Sequence, residues 1–161
     1  MASQRIWAPW RLRYVTSADK TDECVFCAKP ATGDDRESLI VHRGELCFVI
    51  LNLFPYTNGH LMVAPFEHVG RLQDAAPETI AEMMDLAQQA MRRIEAVYGP
   101  EGFNVGINQG RVAGAGVEGH IHLHVVPRWA GDNNYMPILA DTRVMPQSLE
   151  ESYDALEGGF G

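Results

Sequence analysis

Three histidines alternate with apolar residues in Gly119-His120-Ile121-His122-Leu123-His124-Val125. In an extended chain successive side chains point to opposite faces, so His120, His122 and His124 share one face and Ile121, Leu123 and Val125 the other. The chain has six histidines, so half of them fall within five residues. Such a row suits two chemistries. Neutral imidazole is a common zinc ligand. It is also a good nucleophile at neutral pH, and flanking imidazoles donate hydrogen bonds to phosphate oxygens. The plain alternative is a polar face on an edge strand, against which the strict alternation weighs.

Two other segments carry chemical potential. Cys24 and Cys27 form a C-x-x-C pair, able to offer two thiolates to a structural zinc or to remain reduced thiols in a loop. The run Gln109-Gly110-Arg111-Val112-Ala113-Gly114-Ala115-Gly116 is built of small residues. Small side chains let backbone N–H groups approach phosphate oxygens, although any tight turn uses the same residues. Cys47, in an apolar run, reads as a buried thiol, and His42 as a surface histidine. Arg128 and Arg143 read as phosphate contacts or as partners of Asp132 and Asp141.

The elements that position these residues follow from periodicity. Strands are expected at Leu46–Leu51 and His60–Ala64, joined through Pro55-Tyr56-Thr57-Asn58-Gly59. A long helix opens at Pro77 and ends at Gly99, with Ile80, Met83, Ala87, Met91 or Ala90, Ile94 and Val97 on one face. Its methionines are therefore core residues. Further strands are expected at Phe103–Asn108 and His120–Pro127. Residues from Cys24 to about Gly44 read as loop, and the end, Glu157 to Gly161, as frayed. Strands, one long helix and more strands point to an α+β fold with a mainly antiparallel sheet of about five strands.

Composition sets the outer bounds. At 161 residues, 46% hydrophobic, the chain fits one domain with a real core. The net charge of −8 argues against a general nucleic-acid binder but not against a small phosphate ligand. No apolar stretch nears the roughly 20 residues that span a bilayer, and the start lacks a signal-peptide pattern, so a cytoplasmic protein without membrane partners is expected. Three cysteines make a disulfide framework improbable. Residues 1–23 open with an aromatic, basic arm (Ile6, Trp7, Trp10), residues 24–146 form the main domain, and 147–161 form a C-terminal tail.

His120-x-His122-x-His124 followed by Val125-Val126-Pro127 resembles the signature of the histidine triad (HIT) family of nucleotide hydrolases and transferases. The resemblance extends through Asn52-Leu53-Phe54-Pro55, Gly59-His60-Leu61-Met62-Val63-Ala64-Pro65, Gly106-Ile107-Asn108-Gln109-Gly110 and Ala113-Gly114-Ala115-Gly116, covering about residues 24 to 128. It implies a HIT fold with sheets joined across a homodimer or higher homo-oligomer, and a role at each matching position. His122 would attack the α-phosphorus to give a nucleotidyl-histidine, with its other ring nitrogen fixed by the His120 carbonyl. His124 would bind phosphate oxygens and help protonate the leaving group, and His60 would support the triad from behind. Asn108 would hold a phosphate or the leaving side, Gly114, Ala115 and Gly116 would wrap the phosphate, and Asn52 would bind the ribose. Many members carry a polar residue at position 116 or 117, where this chain has Gly116 and Val117. Some members hold zinc with two cysteines and two histidines, matching Cys24, Cys27, His68 and His120.

Trp7-Ala8-Pro9-Trp10-Arg11 and the stretch from Pro127-Arg128-Trp129 to Thr142-Arg143-Val144 resemble bacterial members that break down diadenosine tetraphosphate. The expected reaction is therefore cleavage of a dinucleoside polyphosphate, by hydrolysis or phosphorolysis. Nucleoside phosphoramidate hydrolysis and non-catalytic nucleotide binding are the alternatives.

Overall fold

The computed structural model describes residues 23–132 and 145–161. The aromatic arm and Arg143 lie outside the described residues, except for Glu23 at the arm's end. Besides two single 3-10 turns, four α-helices and five strands are described: α1 (Val25–Ala31), α2 (Asp35–Ser38), β1 (Ile40–Arg43), β2 (Cys47–Leu51), β3 (Leu61–Pro65), α3 (Pro77–Tyr98), β4 (Gly102–Ile107), β5 (Leu123–Arg128) and α4 (Leu149–Leu156). All neighbouring strands pair antiparallel, in the order β1-β2-β3-β5-β4. The expected α+β class and five-stranded sheet are thus present. Among the described residues no helix is long and apolar enough to cross a membrane.

Helix α3 begins with Pro77 at its first turn, where a missing N–H costs nothing, and ends on left-handed Gly99. Met83, Leu86, Ala87, Ala90 and Ile94 bury one stripe of it against Val49, Leu51, Leu61, Val63, Ile121, Leu123 and Val125. Val49, Leu51, Leu61 and Val63 come from β2 and β3, so the helix covers the centre of the sheet. The opposite face of the sheet buries Phe26, Ile40, Phe48, Ile50, Met62 and Ala64. Ile121, Leu123 and Val125 face the helix, and the intervening histidines therefore face α1. The alternation fixes this arrangement.

Three features depart from expectation. Residues 24–44 are not loop throughout but hold α1, α2 and β1. The helices are short and α1 contains Pro30, so neither has a full period to read. Asp34 caps α2 by accepting from the Glu37 N–H, and left-handed Leu39 turns the chain into β1. Second, the chain's end is docked: α4 has a Ser148–Glu151 capping box and buries Tyr153 and Leu156. Phe160 stacks on His42 at a centroid distance of 4.8 Å, and Gly161 N–H donates to Gln89. His42 is therefore half-buried, not a surface residue. Third, the strand expected at His120–Pro127 is paired only from Leu123, since β3 and β4 both leave the ladder there. Ahead of it Ile121 N–H donates to the Val69 carbonyl, in the segment that leaves β3.

Candidate functional site

Helix α1, the segment after β3 and the start of β5 meet on the face of the sheet away from α3. His120 and His122 are 0% and 2% exposed there, packed under the Phe26 ring at centroid distances of 5.4 and 4.7 Å. Each histidine is held by a different partner, and the partners define the protons.

His120 Nε2 donates to the Pro65 carbonyl (2.8 Å), which leaves Nδ1 as a lone pair. That lone pair faces Cys24 Sγ (3.4 Å) and Cys27 Sγ (3.6 Å), and Cys27 Sγ lies 3.3 Å from His68 Nδ1. The four donor atoms lie within 4.8 Å of one another. With zinc bonds to sulfur and nitrogen at their usual lengths, a tetrahedral site has S···N separations of about 3.5 Å. The cluster fits that size, its donor set is two thiols and two imidazoles, and the Pro65 carbonyl orients one ligand from behind. Burial, and then the neighbouring Cys24, push the Cys27 thiol above its ordinary value.

His122 has the opposite tautomer. Its Nδ1 donates to the His120 carbonyl (2.9 Å), so Nε2 carries the free lone pair. Burial lowers its pKa, an effect the hydrogen bond to His120 partly offsets, so the ring is neutral at physiological pH. His124 is reached through His60. Tyr56 N–H donates to His60 Nδ1 (3.1 Å), so His60 Nε2 bears the proton and donates to His124 Nδ1 (2.9 Å). Neutral His124 then carries its own proton on Nε2, as a hydrogen-bond donor. Burial, followed by the nearby His122, lowers the His124 pKa to about 4. A lone pair on His122 thus stands beside an N–H on His124, with ring centroids 4.9 Å apart. That pairing matches a nucleophile and a donor to the oxygens of its target.

Of the remaining expected residues, Asn52 reaches His60, and Ile107, just before Asn108, pairs with Leu123 between two of the histidines. Asn52 is buried at 6% exposure; its Oδ1 accepts from Phe54 N–H and its Nδ2 lies 3.4 Å from both His60 ring nitrogens. Asn108 follows β4 directly. Gly110 and Gly114 take positive φ (84° and 90°) around a single turn at Arg111–Ala113. The Gly114 and Ala115 N–H groups donate to Arg111 and Gly110 carbonyls within that turn. Those two N–H groups are therefore already engaged within the turn. Arg128 pairs with Asp132 through both Nε (2.5 Å) and Nη2 (2.9 Å), so it is committed away from a ligand.

Residues 34–131 match the HIT domain family model, more than half of the chain. The chain belongs to the HIT family. A HIT relative from Mycobacterium tuberculosis (strain ATCC 25618 / H37Rv), described as AP-4-A phosphorylase, is 42% identical over 92% of this chain and 80% of its own length. The fission-yeast relative, an asymmetrical bis(5'-nucleosyl)-tetraphosphatase, is 33% identical over 59% of this chain and 52% of its own. Among solved HIT structures, the Zn-bound histidine triad family protein from Mycobacterium smegmatis superposes with a TM-score of 0.69 at 36% identity, covering 85% of this chain and 92% of that one.

Several contributors to this HIT site have no sequence signal. The Pro65 carbonyl and the Tyr56 N–H are backbone atoms that carry no side-chain signature, whereas the His120 carbonyl, expected from the family resemblance, is where it was expected. Phe26 was within reach, being the aromatic residue inside Cys24-Val25-Phe26-Cys27.

Proposed function

We propose that this protein cleaves dinucleoside polyphosphates of the diadenosine tetraphosphate kind at the α-phosphorus, through a nucleotidyl-histidine on His122. The observation that carries it is the fixed tautomer of His122, buried and neutral with its Nε2 lone pair free beside the His124 N–H. In the first step Nε2 forms a bond to the α-phosphorus as the bond to the bridging oxygen breaks, releasing a nucleoside triphosphate that takes up one proton. His124 donates to the phosphate oxygens and stands near the leaving oxygen. In the second step inorganic phosphate or water attacks the same phosphorus, freeing His122 and giving a nucleoside diphosphate or monophosphate. The 42% identity to the mycobacterial phosphorylase supports phosphate as the acceptor. Asn52 serves the ribose, Asn108 and the Gly114–Gly116 stretch the phosphate, and His60 sets the His124 tautomer.

Zinc at Cys24, Cys27, His68 and His120 is part of this reading, with a structural role: when bound it clamps α1 to the catalytic segment. The reading includes a homodimer, for which we propose β4 as the seam, one of the two edges of the sheet, where Asn104, Val105 and Gly106 are exposed. Sedimentation of Val105→Lys checks that placement, since an unchanged dimer would exclude β4 as its seam.

The deciding experiment is product analysis with diadenosine tetraphosphate, with and without inorganic phosphate, in wild type and His122→Ala. ADP plus ATP that require phosphate and vanish in the variant support a phosphorylase, whereas AMP plus ATP without phosphate identify a hydrolase. Absence of turnover by the wild type would refute the substrate, and undiminished turnover by the variant would refute the mechanism.

A further inference from the structure

The histidines and the 110–116 loop account for a single phosphorus. A dinucleoside tetraphosphate carries three more charged phosphates, and the chain itself has a net charge of −8. Resting on that reading of the substrate, we infer that Arg71 binds the phosphates beyond the scissile bond and so selects a polyphosphate leaving group.

The other described cations narrow the field. Arg36, Arg43 and Arg128 are paired with Asp154, Asp35 and Asp132. Arg93 donates to the carbonyls of Ala155 and Glu157 at the end of α4. Lys29, on α1, and Arg92, on α3, have no side-chain hydrogen bond or ion pair among the described residues to orient them. Arg71 and Arg111 remain, on the two segments beside the catalytic residues, and only Arg71 is clamped.

The backbone at Arg71 is stapled on both sides. Before it, the Val69 carbonyl accepts from Ile121 N–H (2.8 Å), between His120 and His122. Gly70 lies so close to residues 118–119 that a Cβ there would sit 3.1 Å from the Glu118 carbonyl oxygen. After it, Leu72 N–H donates to Gln109 Oε1 (2.7 Å), the residue following Asn108. The side chain is held as well. With the Gln73 amide turned so that its oxygen meets the guanidinium, that oxygen accepts from Arg71 Nη2 (2.5 Å) and Nε (2.9 Å). The Gln73 nitrogen then donates to Gln109 Oε1 (3.2 Å). The reverse orientation would set an NH₂ group against the guanidinium, so this one is adopted.

Arg71 is nonetheless 63% exposed, and its carboxylate contact, Asp74, is distant at 3.6 Å and itself exposed. A guanidinium with five donors retains Nη1 for a further acceptor, and its fork geometry matches phosphate oxygens. The result is an oriented cation, tied to both the histidine segment and the loop after Asn108, with donors still available.

The test compares kcat/KM for diadenosine tetraphosphate and for adenosine 5'-phosphoramidate, whose leaving group carries no phosphate. Arg71→Ala is expected to lower the ratio of the two about tenfold, through KM more than kcat, and Arg71→Lys to restore part of it. Calorimetric titration with inorganic tripolyphosphate should show a Kd raised by a similar factor in Arg71→Ala. An unchanged ratio, or a parallel fall for both substrates, would overturn the assignment. Should the wild type cleave no tetraphosphate, the substrate reading fails and the tripolyphosphate titration alone decides: equal affinity in wild type and Arg71→Ala overturns the role of Arg71.

Discussion

Loss of metal from the Cys24, Cys27, His68, His120 cluster is expected to loosen the fold and the site together. The four donors come from three segments, so an ion there closes loops in the chain. Cys27 and His68 are separated by 41 positions, and Cys24 and His120 by 96. Treated as a cross-link over the shorter loop alone, the ion restricts the unfolded chain by about 4 kcal/mol. In a domain of this size each kcal/mol moves Tm by about 2–4 °C, so the metal-free protein should melt about 8–16 °C lower. The longer loop can only add to that figure. Differential scanning calorimetry on zinc-loaded, chelator-treated and Cys27→Ser protein, with metal content measured in parallel, checks it. Turnover should fall with the metal, because the His120 carbonyl that orients His122 belongs to the residue whose ring would be one of the ligands. His122→Ala should keep its zinc. Preparations with and without one bound ion per chain that melt at the same temperature would refute the reasoning, as would zinc lost with His122.

Other expectations concern the scaffold. Leu156 is fully buried, so Leu156→Ala should cost about 2–5 kcal/mol in denaturant unfolding, whereas a loosely attached tail would show almost no change. Gly70→Ala places a methyl against the backbone of residues 118–119 and should destabilise by about 1–3 kcal/mol while lowering kcat; wild-type values of both would contradict the close approach. Burial lowers the His42 pKa from 6.5, with Glu82 opposing weakly. Its folded pKa is therefore below the unfolded one, and the stability contributed by the neutral ring is present above pH 6.5 and lost as pH falls through the folded value. His42→Gln should flatten the decline of Tm in that window, and parallel curves for variant and wild type would dismiss it.

The sequence was most legible where a period was long or a residue type scarce. The α3 stripe could be read because six turns of helix repeat the same face, and the histidine face because alternation needs no tertiary knowledge. Grouping Cys24 and Cys27 with His68 and His120 rested on family resemblance, since residues this far apart share no local pattern. The elements between residues 24 and 44 were missed because α1, α2 and β1 are each too short to show a period, and their turn residues dominate the composition. Helix α4 was passed over although Ser148-x-x-Glu151 is a capping box, because only two large apolar residues, Tyr153 and Leu156, mark its inner face. Glu82 stands near the start of α3, where an acidic residue complements the helix dipole. Its carboxylate instead accepts from the Leu46 and Cys47 N–H groups at the turn into β2, a long-range partnership that helix position alone does not reveal.

The strand order has a consequence for how the protein comes to bind anything. Strands β1, β2 and β3 form a local meander, and β4 pairs with β5 through the intervening loop. Within the sheet the two halves are hydrogen-bonded where β3 meets β5, at which seam His60 touches His124 from 64 positions away. Cys24, Cys27, Asn52, His60 and His68 belong to the first half, and Asn108 and the three alternating histidines to the second. Neither half holds the proposed site by itself, and closing so distant a seam is the slow kind of contact in folding. A nucleotide is therefore a ligand of the completed chain only, drawing the whole folding equilibrium towards the native state as its concentration rises.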